Sequence, residues 1–116
     1  MSHPLITIVE TSAFARRAEK LLSAEEHEEL IWVLAESPED GDEIPGTGGV
    51  RKMRFAGRGK GKSGGVRVIY YYLDADIPLH ALLIYAKSEK EDLSGEERKV
   101  VAALAAAIKE NWKRRK

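Results

Sequence analysis

Between Val50 and Leu73 the chain carries Arg51, Lys52, Arg54, Arg58, Lys60, Lys62 and Arg67 and not one acid. Guanidinium and ammonium groups at that density suit one kind of partner above others, a polyanion that presents phosphates in a row. If about five of them touched the backbone of a single-stranded nucleic acid, the logarithm of affinity would fall by about 3.5 per decade of salt. The stretch just before has the opposite sign: residues 23 to 50 hold nine acids and no Lys or Arg. A formal net charge of zero over 116 residues therefore conceals a strongly divided field. Tyr70, Tyr71 and Tyr72 follow the basic stretch and split between the two sides of an extended segment. One ring belongs in a core, and another, Tyr71, is placed to stack on a base.

Other chemistries match by letters and fail on context. Residues 56 to 63 satisfy a relaxed phosphate-loop pattern, and Gly59, Gly61 and Gly64 fit the dinucleotide fingerprint. Both motifs need a helix to open directly after the loop so that its amide groups meet the phosphates. Here Val66-Arg67-Val68-Ile69-Tyr70 reads as a strand. His3, His27 and His80 have no metal-ligand spacing, and with no cysteine there is neither a thiolate site nor thiol catalysis. No metal and no cofactor is expected.

One domain over residues 1–116 is the simplest reading of the length, and the start of the chain lacks the basic, apolar pattern of a secretory signal. No apolar run approaches the roughly 18 residues of a membrane span, so a cytoplasmic protein with no membrane partner is expected. Leu5 to Val9 reads as a strand, and Ser12 as the cap of a helix bearing Phe14, Ala18, Leu21 and Leu22 on one side. Ser23 and Glu26 have capping-box spacing for a second helix that stops at Ser37-Pro38. Pro38 to Gly49 reads as an acidic, glycine-rich loop. Val50 to Phe55 alternates, with Met53 and Phe55 on one side and Lys52 and Arg54 on the other. Val66 to Leu73 and Leu79 to Ala86 complete a three-stranded meander. A second capping box, Ser94 and Glu97, opens a last helix, with Val100, Val101, Leu104, Ile108 and Trp112 on one face. The expected fold is α+β in the order β-α-α-β-β-β-α, a small, mainly antiparallel twisted sheet packed against helices.

Gly46 to Arg54, then residues 59 to 71 (Gly-Lys-Gly-Lys-Ser-Gly-Gly-Val-Arg-Val-Ile-Tyr-Tyr), then Ile84-Tyr85-Ala86-Lys87-Ser88-Glu89 resemble RelE-superfamily toxins of the HigB type. The likeness covers most of the chain and implies the RelE-like fold. It further implies the toxin of a bacterial type II toxin-antitoxin pair, a metal-independent endoribonuclease that cleaves mRNA in the ribosomal A site. The implied partners are mRNA, the ribosome and a cognate HigA-like helix-turn-helix antitoxin. Carried over residue by residue, the catalytic candidates are Lys52, Arg54, Arg67 and Lys87. Lys87 stands in for the arginine and tyrosine that RelE carries near the places of Ser88 and Ser94. RNA-binding candidates are Arg51, Arg58, Lys60, Lys62, Tyr71 and Lys90.

Metal-free cleavage of RNA needs a base for the 2′-hydroxyl, cations for the charge on phosphorus and help for the departing 5′-oxygen. Arginine stays protonated, which leaves Lys52, Lys60, Lys62 or Lys87 as the base, with like charge nearby to depress the pKa. The rival reading is a non-catalytic RNA- or ribosome-binding module that uses the same patch.

Overall fold

The computed structural model describes residues 6–56 and 65–115. The elements run β1 (Ile8–Glu10), α1 (Ser12–Leu21), α2 (Ala24–Glu36), β2 (Asp42–Glu43), β3 (Val50–Phe55), β4 (Val66–Tyr71), β5 (Leu79–Ala86) and α3 (Gly95–Arg115). One five-stranded sheet has the order β1-β5-β4-β3-β2, with β1 parallel to β5 and the remaining pairs antiparallel.

Helix starts follow local chemistry, with one shift. Thr11, not Ser12, caps α1: its Oγ1 accepts from Phe14 N at 3.0 Å and donates to Leu82 O at 2.8 Å. Either hydroxyl suits a cap; the bond to β5 selects Thr11. Ser23 and Glu26 form the expected capping box at the head of α2, and Ser94 with Glu97 does the same for α3.

The stretch read as a loop, Pro38 to Gly49, contains the two-residue edge strand β2, whose Asp42 and Glu43 pair with Lys52 and Arg51. Nothing apolar marks it, because both side chains are exposed. Two side chains tie this segment down. Thr47 Oγ1 donates to Ile44 O at 2.6 Å and accepts from Val50 N at 3.1 Å, and the Tyr70 hydroxyl accepts from Gly41 N at 2.8 Å. Tyr70→Phe leaves that buried amide without its partner and is expected to destabilise the fold by about 1–3 kcal/mol, read as a lowered urea midpoint.

Two cores sandwich the sheet. Phe14, Ala18, Leu30 and Leu34 of α1 and α2 pack on Met53, Phe55, Val66, Val68, Tyr70, Leu79, Ala81 and Ile84. On the opposite side Leu93, Val101 and Ala105 cover Val50, Ile69, Tyr71, Leu82 and Tyr85. Ala81 and Ile84 are an odd number apart yet share a face, since the register shifts between Ile69 and Tyr70 and skips Leu82. The buried stripe of α3 is Val101, Ala105 and the partly buried Ile108; Val100 and Leu104, expected on it, are 51% and 36% exposed. They stand one residue, about 100°, round the helix from the buried stripe.

Candidate nucleic-acid interface on the α3 side of the sheet

Strand parity decides which cations meet. On β3, Lys52 and Arg54 alternate with Met53 and Phe55 and so share the α3 side with Val50. On β4, Arg67 takes the same side as Ile69 and Tyr71. The register sets Arg54 directly opposite Arg67, and Arg67 directly opposite Tyr85. Every residue of β4 is buried, and Arg67 is the one charged side chain among them, 8% exposed. The register thus brings two guanidinium-bearing residues together on one side of the sheet, and Arg67 also acts on the nearby Asp92 carboxyl.

Around these arginines stand two ion pairs. Lys52 Nζ lies 2.6 Å from Asp92 Oδ1, and the Lys90 ammonium pairs with Glu97 while lying 5.0 Å from the centre of the Tyr85 ring. The hydrogen bond and charge of Lys52, with Arg98 and Arg67 adding to them, hold the Asp92 carboxyl below its usual range. Glu97 is lowered by Lys90 and by the Ser94 amide. Burial raises the Tyr85 phenol, against which Lys52 and Arg67 pull. A third carboxyl, Glu89, is lowered by the Ala86 amide and by its pair with Arg17. An acid response follows from the sign of these three shifts. The unfolded chain holds protons on these groups more tightly than the folded one, so stability is level above about pH 5 and falls as pH drops through about 4. The pairs are partly or largely exposed, so the slope is shallow and salt flattens it. Urea midpoints measured against pH at low and high salt check both features.

Lys52, Arg67 and Lys90 therefore gather round Tyr85, with Arg54 opposite Arg67 on the same side of the sheet, and other sequence candidates lie elsewhere. Arg51 has the parity of Met53 and so the opposite side. It donates to Glu39 O at 3.0 Å and Gly41 O at 2.7 Å and lies 3.5 Å from Glu43, which makes it an anchor for the acidic segment, away from the cations of the α3 side. Tyr71 is 3% exposed in the core under α3, where no base can stack on it. Lys87 is exposed one residue past β5, its amide donating to Gly65 O at 3.1 Å. Arg58, Lys60 and Lys62 lie outside the described residues, as does His3. Ser94 is occupied as a helix cap. His27, 2.5 Å from Glu10, and His80, bonded to Pro78 O at 2.9 Å, are apart from the cluster on the chain's own structural contacts. Among the described residues no group of three or more His, Asp or Glu could hold a metal ion, and no helix is long and apolar enough to cross a membrane.

Tyr85, Asp92 and Glu97 belong to the cluster and were not among the sequence candidates. Tyr85 lies in a nearly continuous apolar run, Leu79 to Ala86, in which no alternation marks the side it takes. Asp92 sits in irregular backbone, and no periodicity announces its approach to Lys52 from 40 positions away.

Comparison with known proteins bears on the family and the fold. A family model described as RelE toxin of RelE / RelB toxin-antitoxin system matches residues 6–115. The fold is shared with the E. coli toxin RelE, solved as a doubly substituted mutant in the free state: TM-score 0.54 and 16% identity over 76% of this chain and 90% of that one. A chain of the intact E. coli RelBE toxin-antitoxin complex gives TM-score 0.51 and 16% identity over 70% of this chain and 95% of that one.

Proposed function

The chain belongs to the RelE toxin family, and from that premise we propose that it is a ribosome-dependent endoribonuclease of the HigB type that cuts mRNA in the A site. The observation that carries the reading is the cross-strand pair Arg54 and Arg67 with Lys52 beside it, three cations on one side of the sheet. A scissile phosphate among them meets positive charge from two adjacent strands. Arg54 and Arg67 stabilise the charge that grows on the non-bridging oxygens, and Lys52 is the third ligand of the same phosphate. Attack by the neighbouring 2′-hydroxyl then leaves a 2′,3′-cyclic phosphate on the upstream fragment and consumes no metal or cofactor. Translation stops because its template is cut. Lys90, and Lys60 and Lys62 from the sequence, add backbone contacts that position the strand. The setting is the cytoplasm, and a cognate antitoxin, of the HigA-like helix-turn-helix kind, silences the protein.

A non-catalytic ribosome-binding module is the second reading, favoured because Ser94 caps α3 and so supplies no acid in the place of the missing tyrosine. Product-end analysis on ribosomes programmed with a defined mRNA separates the two. Discrete cuts in the A-site codon with cyclic-phosphate ends are expected; stable binding with intact mRNA leaves the module in their place.

A further inference from the structure

Resting on the nuclease reading, the site still needs a group that takes the proton of the attacking hydroxyl. Arginine does not release its proton near neutrality, and a free lysine is neutral there only about once in 2,500 molecules. We infer that Asp92, hydrogen-bonded to Lys52 at 2.6 Å, is the base for the 2′-hydroxyl and that Lys52 is the acid for the departing 5′-oxygen.

Three observations support this assignment. The Asp92 side chain is 65% exposed, so an RNA strand laid across the α3 side of the sheet reaches it without any rearrangement. Of the carboxylates in the cluster it is the one held by a side chain alone. Glu97 accepts from Ser94 N at 2.9 Å and pairs with Lys90, and Glu89 accepts from Ala86 N at 2.8 Å and pairs with Arg17. Among the described residues Lys52 is the single hydrogen-bond partner of Asp92. The charged and titratable groups facing it come from every neighbouring element: Lys52 on β3, Arg67 on β4, Tyr85 on β5 and Arg98 on α3. With three cations around it the carboxylate is ionised throughout the physiological range, and no rare neutral lysine is required.

The step balances within the pair. The O2′–P bond forms as the P–O5′ bond breaks; the 2′-hydroxyl proton goes to Asp92 Oδ, and the 5′-oxygen leaves with a proton from the Lys52 ammonium. The proton on Asp92 then crosses the hydrogen bond to Lys52 and restores the starting ion pair. Arg54 and Arg67 stay charged throughout.

Asp92→Asn keeps the size and the acceptor oxygen and removes the base. In single-turnover cleavage of mRNA on programmed ribosomes it is expected to lower the rate about 10²–10⁴-fold. The concentration giving half-saturation should stay unchanged or fall, since a negative charge beside the phosphate is gone. Wild type should lose activity on the acid side as Asp92 protonates, a limb that the variant lacks, and Asp92→Glu should recover part of the rate. A variant as fast as wild type or faster overturns the inference and makes Asp92 a counter-ion that RNA displaces. Parallel loss of RNA binding, melting temperature and cleavage overturns it as well, by showing a structural role. Failure of wild type to cut mRNA at all is a different result, which removes the nuclease reading before any variant is compared.

Discussion

Alanine at Arg54 is expected to slow mRNA cleavage by about 10²–10³-fold, the usual effect of removing one donor aimed at transition-state charge. Alanine at Lys52, Arg54 and Arg67 together should abolish growth arrest in cells that express the chain. The fold should survive. Arg54 is exposed, and its loss is expected to change stability by no more than about 0.5 kcal/mol. Arg67 is buried, so its replacement is expected to cost more than that of Arg54, and the melt of the triple variant checks that it is folded. Arg51→Ala provides the contrast. That side chain holds Glu39 O and Gly41 O, so its loss should cost about 1–3 kcal/mol of stability while the folded fraction keeps its cleavage rate. Thermal melts beside cleavage assays check both, and a triple variant that still arrests growth would sink the assignment of the site.

The second large effect is conformational. Gly65 enters β4 with φ +62°, and a Cβ there would stand 2.4 Å from Phe55 O and 2.7 Å from Ala56 Cα. Backbone atoms of the partner strand cannot give way without moving the β3–β4 ladder that carries Arg54 and Arg67. Gly65→Ala is expected to cost about 3 kcal/mol or more, lowering the melting temperature by about 10 °C or more. Gly46 has φ +79° and open space around it, so Gly46→Ala meets only the left-handed penalty of about 1–2 kcal/mol. The difference between the two melts isolates the steric part, and equal melts would show that the crowding at Gly65 is absorbed.

Much of this arrangement was legible in the residue order, and what was missed has identifiable causes. The strands over Val50–Phe55, Val66–Tyr71 and Leu79–Ala86 announce themselves through β-branched and aromatic runs, and the capping boxes at Ser23 and Ser94 through spacing alone. Alternation already put Lys52 and Arg54 opposite Met53 and Phe55. The same alternation assigns Arg51 to the side of Met53, a consequence that the density of positive charge obscured. Strand β2 escaped because two exposed acids carry no hydrophobic signal. Tyr71 reads as available for stacking until α3 is laid over it, and the buried face of α3 lies one residue round from the one its apolar spacing predicts, because alanines, which any face tolerates, surround Val101 and Leu104. Asp92 was invisible for a different reason: contacts between a strand and a distant loop leave no local pattern.

That distance has a bearing on manufacture. Lys52 meets Asp92 only after 40 further positions have been added, and Thr11 must wait 71 positions for the carbonyl of Leu82. Strand β1 has no neighbour in the sheet until β5 exists. A nascent polypeptide whose β5 and Asp92 are still in the exit tunnel therefore lacks the assembled cluster, and the site comes together only when most of the toxin has emerged.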